Sequence, residues 1–120
     1  MKYTPSHEWI ETKPQDYAIV GITDYAQKEL GDIVYIELPK VGRLVKAGEQ
    51  ICVLESTKAA ADVYSPVSGT VTEVNDQLKD NSSLVNSDAE GSGWLYKIDL
   101  SAPNELDSLL DQDAYQARIS

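Results

Sequence analysis

The chain has 120 residues, of which 42% are apolar and 25% are charged, and its formal net charge is -10 at pH 7. A chain of this length and composition fits one domain built around one hydrophobic core. The excess of acidic side chains repels phosphate backbones and anionic lipid surfaces, so we expect neither nucleic acid nor a membrane as a partner. The acidic surface favours encounters with basic clefts of other proteins instead.

Short strand patterns alternate with turn signals along most of the chain. The runs that combine apolar or β-branched residues with flanking Gly, Pro or polar residues are 17–20, 33–38, 50–55, 62–65, 70–74 and 94–98. Strands of this length and spacing are typical of compact antiparallel sheets. The sequence therefore predicts a mainly β fold, a compact antiparallel barrel or sandwich.

A short helix is predicted between the first two of these strands. Thr23 is suited to cap a helix over residues 24–30, because its hydroxyl can accept a hydrogen bond from the first turn. Gly31 is suited to end the helix, since glycine adopts the left-handed backbone conformation common at that position.

A second helical region is predicted at the C-terminus. Pro103 suits a first helical turn, and apolar residues then recur at helical spacing, namely Leu106, Leu109, Leu110, Ala114 and Ala117. A break is expected at 111–113. The prediction is thus a pair of helices over about 103–117 that pack on a single domain of residues 1–120.

Cys52 is the only cysteine of the chain, and His7 is the only histidine. A single cysteine excludes an intramolecular disulfide and fits a reducing compartment. Because Cys52 lies between Ile51 and Val53, we expect a small buried side chain rather than a reactive thiol. No spacing of His, Cys and acidic residues indicates a metal site, and no phosphate-binding glycine loop is present. The sequence predicts no catalytic residue and no metal ligand.

Lys58 lies at the centre of Glu-Ser-Thr-Lys-Ala-Ala-Ala-Asp, between the predicted strands 50–55 and 62–65. The bend contains neither Asn-Gly nor Gly-X, so a primed two-residue turn is not expected, and a turn that tolerates ordinary residues, such as type I, is predicted. Lys58 is therefore predicted at the apex of a hairpin, with its amine directed away from the body of the protein.

The hairpin sequence resembles the lipoyl-lysine motif of the glycine cleavage system H protein family, on Glu-Ser-Thr-Lys-Ala at 55–59 and Asp-Val-Tyr-Ser-Pro-Val-Ser-Gly-Thr-Val at 62–71. The likeness covers nearly the whole chain. Further blocks occur in the order expected of the family, at residues 3–9, 21–27, 30–34, 38–39, 41–42, 84–88, 93–95 and 105–110. Each block alone is a weak signal, but the ordered set is a strong one.

The resemblance implies a lipoyl-domain-like antiparallel fold of the barrel-sandwich-hybrid type. It also implies a carrier that catalyses nothing itself and that holds lipoate on Lys58 as N6-lipoyllysine. It implies that the arm carries the aminomethyl group of glycine from a pyridoxal-phosphate-dependent glycine decarboxylase (P protein) to a tetrahydrofolate-dependent aminomethyltransferase (T protein). A dihydrolipoyl dehydrogenase (L protein) would reoxidise the arm, and a lipoate ligase or an octanoyl or lipoyl transferase would attach it. We also expect a monomer.

Three acidic residues are candidates for sheltering the amine-bearing arm, namely Glu8, Glu29 and Asp62. A protonated amine favours a nearby carboxylate, which is why acids are the side chains to consider. As single acids in the sequence, they are expected at the surface. The sequence does not indicate which of them meet in the fold.

The chain also departs from the family pattern. Thr57 replaces the usual Val before the lysine, Ser82-Ser83 replaces Pro-Glu, and 88–94 reads Asp-Ala-Glu-Gly-Ser-Gly-Trp instead of Asp-Pro-Tyr-Gly-Glu-Gly-Trp. Because loops carry recognition, an H-like lipoyl carrier or lipoyl-relay paralogue that serves other lipoate-dependent enzymes is an alternative. A biotin carrier is disfavoured, since such carriers place Met on both sides of the lysine, whereas Thr57 and Ala59 flank Lys58.

The first residues, Met-Lys-Tyr-Thr-Pro, contain no apolar stretch typical of a signal peptide or a membrane span. The sequence therefore predicts a cytoplasmic bacterial protein.

Overall fold

A computed structural model of the protein describes residues 1–119. The strands in chain order are β1 (Lys2–Tyr3), β2 (Glu8–Lys13), β3 (Tyr17–Ile22), β4 (Ile33–Glu37), β5 (Leu44–Val45), β6 (Gln50–Ser56), β7 (Ala60–Tyr64), β8 (Gly69–Val74) and β9 (Tyr96–Leu100). The helices are α1 (Asp24–Leu30), α2 (Gln77–Asp80), α3 (Leu84–Ser87), a 3-10 helix (Pro103–Ser108) and α4 (Gln112–Ile119).

The strands form two antiparallel sheets. One sheet has the strand order β1-β2-β3-β9-β8-β5, and the other has the order β4-β6-β7. The two sheets do not close into a barrel but form a sandwich-like arrangement. The predicted mainly β, antiparallel fold class with short helices is confirmed.

The main hydrophobic core takes side chains from both sheets. Val20 and Ile98 come from the larger sheet, whereas Leu54 and Val63 come from the smaller one, and all four are buried. Along β9, buried residues alternate with more exposed ones, as expected of a strand with one face on the core. Burial of this apolar surface is the main force that holds the sheets together.

The six predicted strands are observed as β3, β4, β6, β7, β8 and β9, with ends that differ by up to two residues. The sequence did not indicate β2, because Glu8, Trp9 and Ile10 are all buried and the polar-apolar alternation is absent. It also did not indicate α2 and α3. Each has only four residues, too few to show helical periodicity, and each is held by one buried side chain, Leu78 or Val85.

Helix α1 is observed with the bounds predicted, over Asp24–Leu30. The Thr23 hydroxyl accepts a hydrogen bond from Ala26 N–H at 3.2 Å, and Gly31 ends the helix with φ +82 and an N–H bond to the Gln27 carbonyl. The local capping signals are therefore sufficient to define this element.

The C-terminal segment differs in part from the prediction. Leu106 and Leu109 pack against the main core, but the chain is extended at Leu109, so the break precedes residues 111–113. Ala114 and Ala117 are exposed and do not continue the apolar face. Tyr115 is the buried residue of α4 instead.

The Tyr115 ring stacks on Tyr3, with centroids 4.7 Å apart. Leu110 and Tyr3 exchange two backbone hydrogen bonds of 2.8 Å, which connect the segment before α4 to β1. The two chain ends thus lie together. That residues 1–120 constitute a single domain stays a prediction.

Of the helices within residues 1–119, none combines the length and the apolar character that crossing a bilayer requires.

We expect Leu109→Ala to lower the free energy of unfolding by about 2 kcal/mol, because a partly buried leucine loses apolar contacts and leaves a partial cavity. Leu44→Ala is the matched control, since Leu44 is 77% exposed and should change stability by less than about 0.5 kcal/mol. Urea unfolding of both variants checks this. Equal stabilities would show that the C-terminal segment contributes little to the core.

Candidate functional site

The hairpin of β6 and β7 presents Lys58 at its tip. Glu55 pairs with Ala60, and the hairpin is closed by a bond from Ser56 N–H to the Ala59 carbonyl at 2.8 Å. The Ser56 hydroxyl oxygen accepts from the N–H groups of Lys58 and Ala59, both at 3.1 Å. Neither Thr57 nor Lys58 has a positive φ, so primed turns are excluded, as the sequence predicts.

The Lys58 side chain is exposed but lies along the protein surface. A Cβ atom placed on Gly31 would be 3.2 Å from Lys58 Cε and 3.7 Å from Nζ. The prediction that the amine points away from the body is therefore wrong, because Gly31 leaves room for the side chain to rest against the α1–β4 loop. Gly31 has two local roles, since its positive φ also disfavours other residues.

The α1–β4 loop, taken here as residues 31–32 together with Ile33, the first residue of β4, is hydrogen-bonded to the turn. The N–H of Thr57 donates to the Asp32 carbonyl at 3.0 Å. This bond continues the pairing of β4 with β6 one residue beyond Ile33 and Ser56, and so connects the tip of the hairpin to the segment that leads into β4. The loop therefore helps to define where the turn, and with it Lys58, is located.

Asn86 of α3 holds the same loop from the other side. Its Nδ2 donates to the Gly31 carbonyl at 2.9 Å, and its Oδ1 accepts from Ile33 N–H at 2.9 Å. The Ser82 hydroxyl donates to the Ile33 carbonyl at 2.9 Å, a bond that proline, usual in the family at this position, could not make. Sequence reasoning missed these roles, because 49 to 55 residues separate the partners.

A cavity of about 290 Å³ lies beside the hairpin. Its lining is partly apolar and partly acidic, and includes residues from the N-terminal segment, α1, β6 and β7. The lining residues are Ser6, His7, Glu8, Ile22, Tyr25, Ala26, Glu29, Leu30, Leu54, Ala61, Asp62 and Val63. The structure thus brings the three acids singled out from the sequence, Glu8, Glu29 and Asp62, to one cavity.

Glu8 is buried, with 2% of its surface exposed, whereas Glu29 and Asp62 are exposed. The expectation of a surface position is therefore wrong for Glu8. Its Oε1 accepts hydrogen bonds from the hydroxyls of Thr4 and Ser6, and its Oε2 accepts from Tyr64 N–H at 3.3 Å. Burial raises the pKa of Glu8 above its ordinary value, and the hydrogen bonds only partly oppose that effect.

His7 connects the edge of the cavity to the C-terminal helix. Its Nδ1 is hydrogen-bonded to the Tyr115 hydroxyl at 2.8 Å, which is also 2.7 Å from the hydroxyl oxygen of Thr23. The His7 ring contacts Tyr25, with centroids 4.7 Å apart. The single histidine thus has a structural partner, and α4 braces the cavity wall through Tyr115.

Among residues 1–119, no group of three or more His, Cys, Asp or Glu side chains is placed to hold a metal ion.

Cys52 is buried, and burial raises the pKa of its thiol to about 12. Because the thiolate is the nucleophilic form, this cysteine is not suited to nucleophilic chemistry.

We expect Asn86→Ala to lower the free energy of unfolding by about 1 to 3 kcal/mol, because the Gly31 carbonyl and the Ile33 N–H lose their side-chain partner. The amide hydrogen of Thr57 should also exchange faster with solvent, since its acceptor, the Asp32 carbonyl, lies in the same loop. Asn104→Ala at an exposed position is the control. Unchanged exchange at Thr57 would show that Asn86 does not hold the turn.

A second prediction concerns pH. Because the pKa of Glu8 is raised above 4.5 in the folded state, the folded protein binds more protons than the unfolded chain between 4.5 and the raised value. The free energy of unfolding of the wild type should therefore fall, relative to Glu8→Gln, as pH rises through this window, and the difference should be constant above it. Urea unfolding of both proteins from pH 4.5 upward checks this. A difference independent of pH would contradict the effect of burial.

The family model described as "Glycine cleavage H-protein" matches residues 1–120. The glycine cleavage system H protein of Thermotoga maritima is 53% identical over 115 residues, which cover 96% of this chain and 92% of that protein. The H protein of Rhodospirillum rubrum is 52% identical over 117 residues, with coverages of 98% and 93%.

A solved structure is also similar. The crystal structure of a glycine cleavage system H protein from Mycobacterium marinum superposes with a TM-score of 0.90 at 37% identity, and the match covers 98% of this chain and 94% of that one. The fold and the sequence thus agree over nearly the full length. The chain belongs to the glycine cleavage H-protein family.

Proposed function

We propose that the protein is a lipoylated carrier of the glycine cleavage system, with lipoate in amide linkage to Nζ of Lys58. The observation that supports this most directly is the exposed Lys58 at the tip of a hairpin whose turn is fixed by Ser56 and Asp32. A tethered cofactor can visit several active sites only if its base is fixed and protrudes. Family membership favours the same function.

The residues around Lys58 fit a lipoyl arm. The neighbouring cavity has apolar walls from Ile22, Leu30 and Val63 that suit an alkyl chain, and carboxylates that suit an amine. When bound, lipoate supplies a dithiolane that accepts the aminomethyl group of glycine and is later reoxidised. We propose that Glu8, Glu29 and Asp62 shelter this amine between visits to partner enzymes, while the carrier itself catalyses nothing.

The proposed partners are the glycine decarboxylase, the aminomethyltransferase, the dihydrolipoyl dehydrogenase and the enzyme that attaches lipoate. A net charge of -10 supports electrostatic steering toward basic clefts, because charge accelerates encounter. We propose a monomer in the bacterial cytoplasm, folded as one domain, that shuttles among these enzymes.

An H-like carrier or lipoyl-relay paralogue is a second candidate. Two residues where the chain departs from the family pattern contact elements next to the turn. The Ser82 hydroxyl donates to the Ile33 carbonyl, and Glu90 Oε2 accepts from Asp24 N–H at 2.9 Å at the start of α1. Because loops carry recognition, the changes at Ser82 and Glu90 favour an altered set of partners.

Lys58→Arg should abolish lipoylation, because arginine keeps the positive charge but has no acylatable amine. The protein is incubated with a lipoate ligase, lipoic acid and ATP, and the intact mass is measured. Lys28→Arg is the control, since Lys28 is an exposed lysine on α1, and it should be lipoylated like the wild type. A lipoyl adduct on the Lys58→Arg variant would contradict the assignment.

Reconstitution separates the two candidate functions. Lipoylated wild-type protein, mixed with the decarboxylase, the aminomethyltransferase and the dehydrogenase, should support glycine cleavage, and Lys58→Arg should support none. A lipoylated wild-type protein that supports no glycine cleavage with these enzymes would favour the paralogue with other partners.

A further inference from the structure

Two consecutive residues of β4, Val34 and Tyr35, expose large apolar side chains. Val34 is 58% exposed and Tyr35 is 53% exposed. Successive side chains of a regular strand point to opposite faces, so two exposed neighbours on one strand need a local cause. The cause is a register irregularity between Ile33 and Tyr35, which leaves Val34 without a paired residue on β6.

These two side chains, the β4 patch, lie next to the hairpin turn. Ile33 pairs with Ser56 and Tyr35 pairs with Glu55, so the patch is level with the last residues of β6 before the turn. Among residues 1–119, β4 is an edge strand of the three-stranded sheet, and β6 is the only strand that pairs with it. A groove of about 520 Å³ runs along this edge and has Val34, Tyr35 and Leu78 in its walls.

Most exposed hydrophobic residues need no explanation, but an apolar patch with an adjacent groove is typical of a docking surface. What covers the patch is limited by the position of Lys58. Its Nζ rests against Gly31, which itself lies two residues before Ile33. An enzyme that reacts with this nitrogen has to contact the protein surface around the turn.

The enzyme that acylates Lys58 has to make this contact with the surface around the turn, because it reacts with Nζ itself. The neutral Nζ attacks the carbonyl carbon of an activated acyl group, held as an acyl adenylate or a thioester. The new N–C bond forms, the bond to the adenylate oxygen or to sulfur breaks, the leaving group takes the electron pair, and the nitrogen loses a proton. Enzymes that act later react at the far end of the acyl chain, so they do not need such close contact with the turn.

We propose that the β4 patch is a docking surface for the enzyme that acylates Lys58. The proposal rests on the proposed function, because it requires Lys58 to be the acylated residue. The partner carries a complementary apolar surface that covers Val34 and Tyr35 while its active site reaches Nζ. Contacts of this type at the centre of an interface contribute disproportionately to binding.

The test uses three single substitutions, each to threonine. Val34→Thr and Tyr35→Thr remove apolar surface and place at each position a β-branched residue suited to a strand. Leu44→Thr is the matched control, because Leu44 is 77% exposed but lies in the other sheet, paired with Thr70. Each unmodified variant is acylated by a lipoate ligase with lipoic acid and ATP, and the rate of mass increase is measured against carrier concentration.

We expect each patch variant to lower kcat/KM for acylation about tenfold, mainly through a higher KM, and Leu44→Thr to stay within about twofold of wild type. The ligase should also slow hydrogen exchange of the amides of residues 33–37 in the wild-type protein. Once lipoylated to completion and chemically reduced to the dithiol, all variants should be reoxidised at equal rates by dihydrolipoyl dehydrogenase with NAD⁺ as the electron acceptor.

Unchanged kcat/KM in both patch variants, or an equal loss in Leu44→Thr, would overturn the proposal. An equal loss in the dehydrogenase reaction would also overturn it, because the patch would then not be specific for acylation. Hydrogen exchange in the wild type does not depend on how the variants fold, and the absence of protection there would contradict docking. Failure of the proposed function is distinguishable, since the wild-type protein would then not be acylated at Lys58 at all.

Discussion

The position of the Lys58 turn depends on three consecutive residues, 31–33, whose backbone groups are hydrogen-bonded to two distant parts of the chain. On one side, the Asp32 carbonyl accepts from Thr57 at the hairpin tip. On the other side, Asn86 satisfies both the Gly31 carbonyl and the Ile33 amide. A hairpin tip is ordinarily among the more mobile parts of a protein. Here the side-chain amide of Asn86, from the one-turn helix α3, anchors the hairpin tip indirectly through residues 31–33.

The site combines two electrostatic environments at close range. Lys58 is exposed on the surface of the loop, where its charge is solvated, whereas Glu8 is buried under the neighbouring cavity and held by hydroxyl and amide donors. Glu29 and Asp62, at the same cavity, are exposed. A group that enters the cavity therefore passes from exposed acids toward a carboxyl whose ionisation is disfavoured by burial.

Local signals were sufficient for the parts of the structure that depend on neighbouring residues. Thr23 and Gly31 define α1 because capping is decided within one turn, and the lack of glycine at the bend correctly excluded a primed turn at Lys58. The resemblance of the sequence to a family supplied the overall architecture, which composition and spacing alone left open between a barrel and a sandwich.

Most of the site features that sequence reasoning missed depend on partners far away in the chain. The burial of Glu8 follows from its contacts with Tyr64, 56 residues later, and the role of Asn86 follows from partners 53 to 59 residues earlier. Lys58 was expected to point outward because only its own hairpin was considered, whereas the space above Gly31 decides where it rests. Ala114 and Ala117 matched a helical period, but the larger ring of Tyr115 determines which face of α4 is buried.

The burial of Cys52 has a consequence for redox chemistry. Cys52 lies opposite Val63 within the hairpin that presents Lys58, so the chain's own thiol shares a scaffold with the proposed dithiolane. An accessible thiolate there would attack the disulfide of the arm and trap it as a mixed disulfide. With 1% of its surface exposed and its pKa raised to about 12, Cys52 presents neither the access nor the thiolate that exchange requires. The core thus separates the proposed arm from the only sulfhydryl group of the chain.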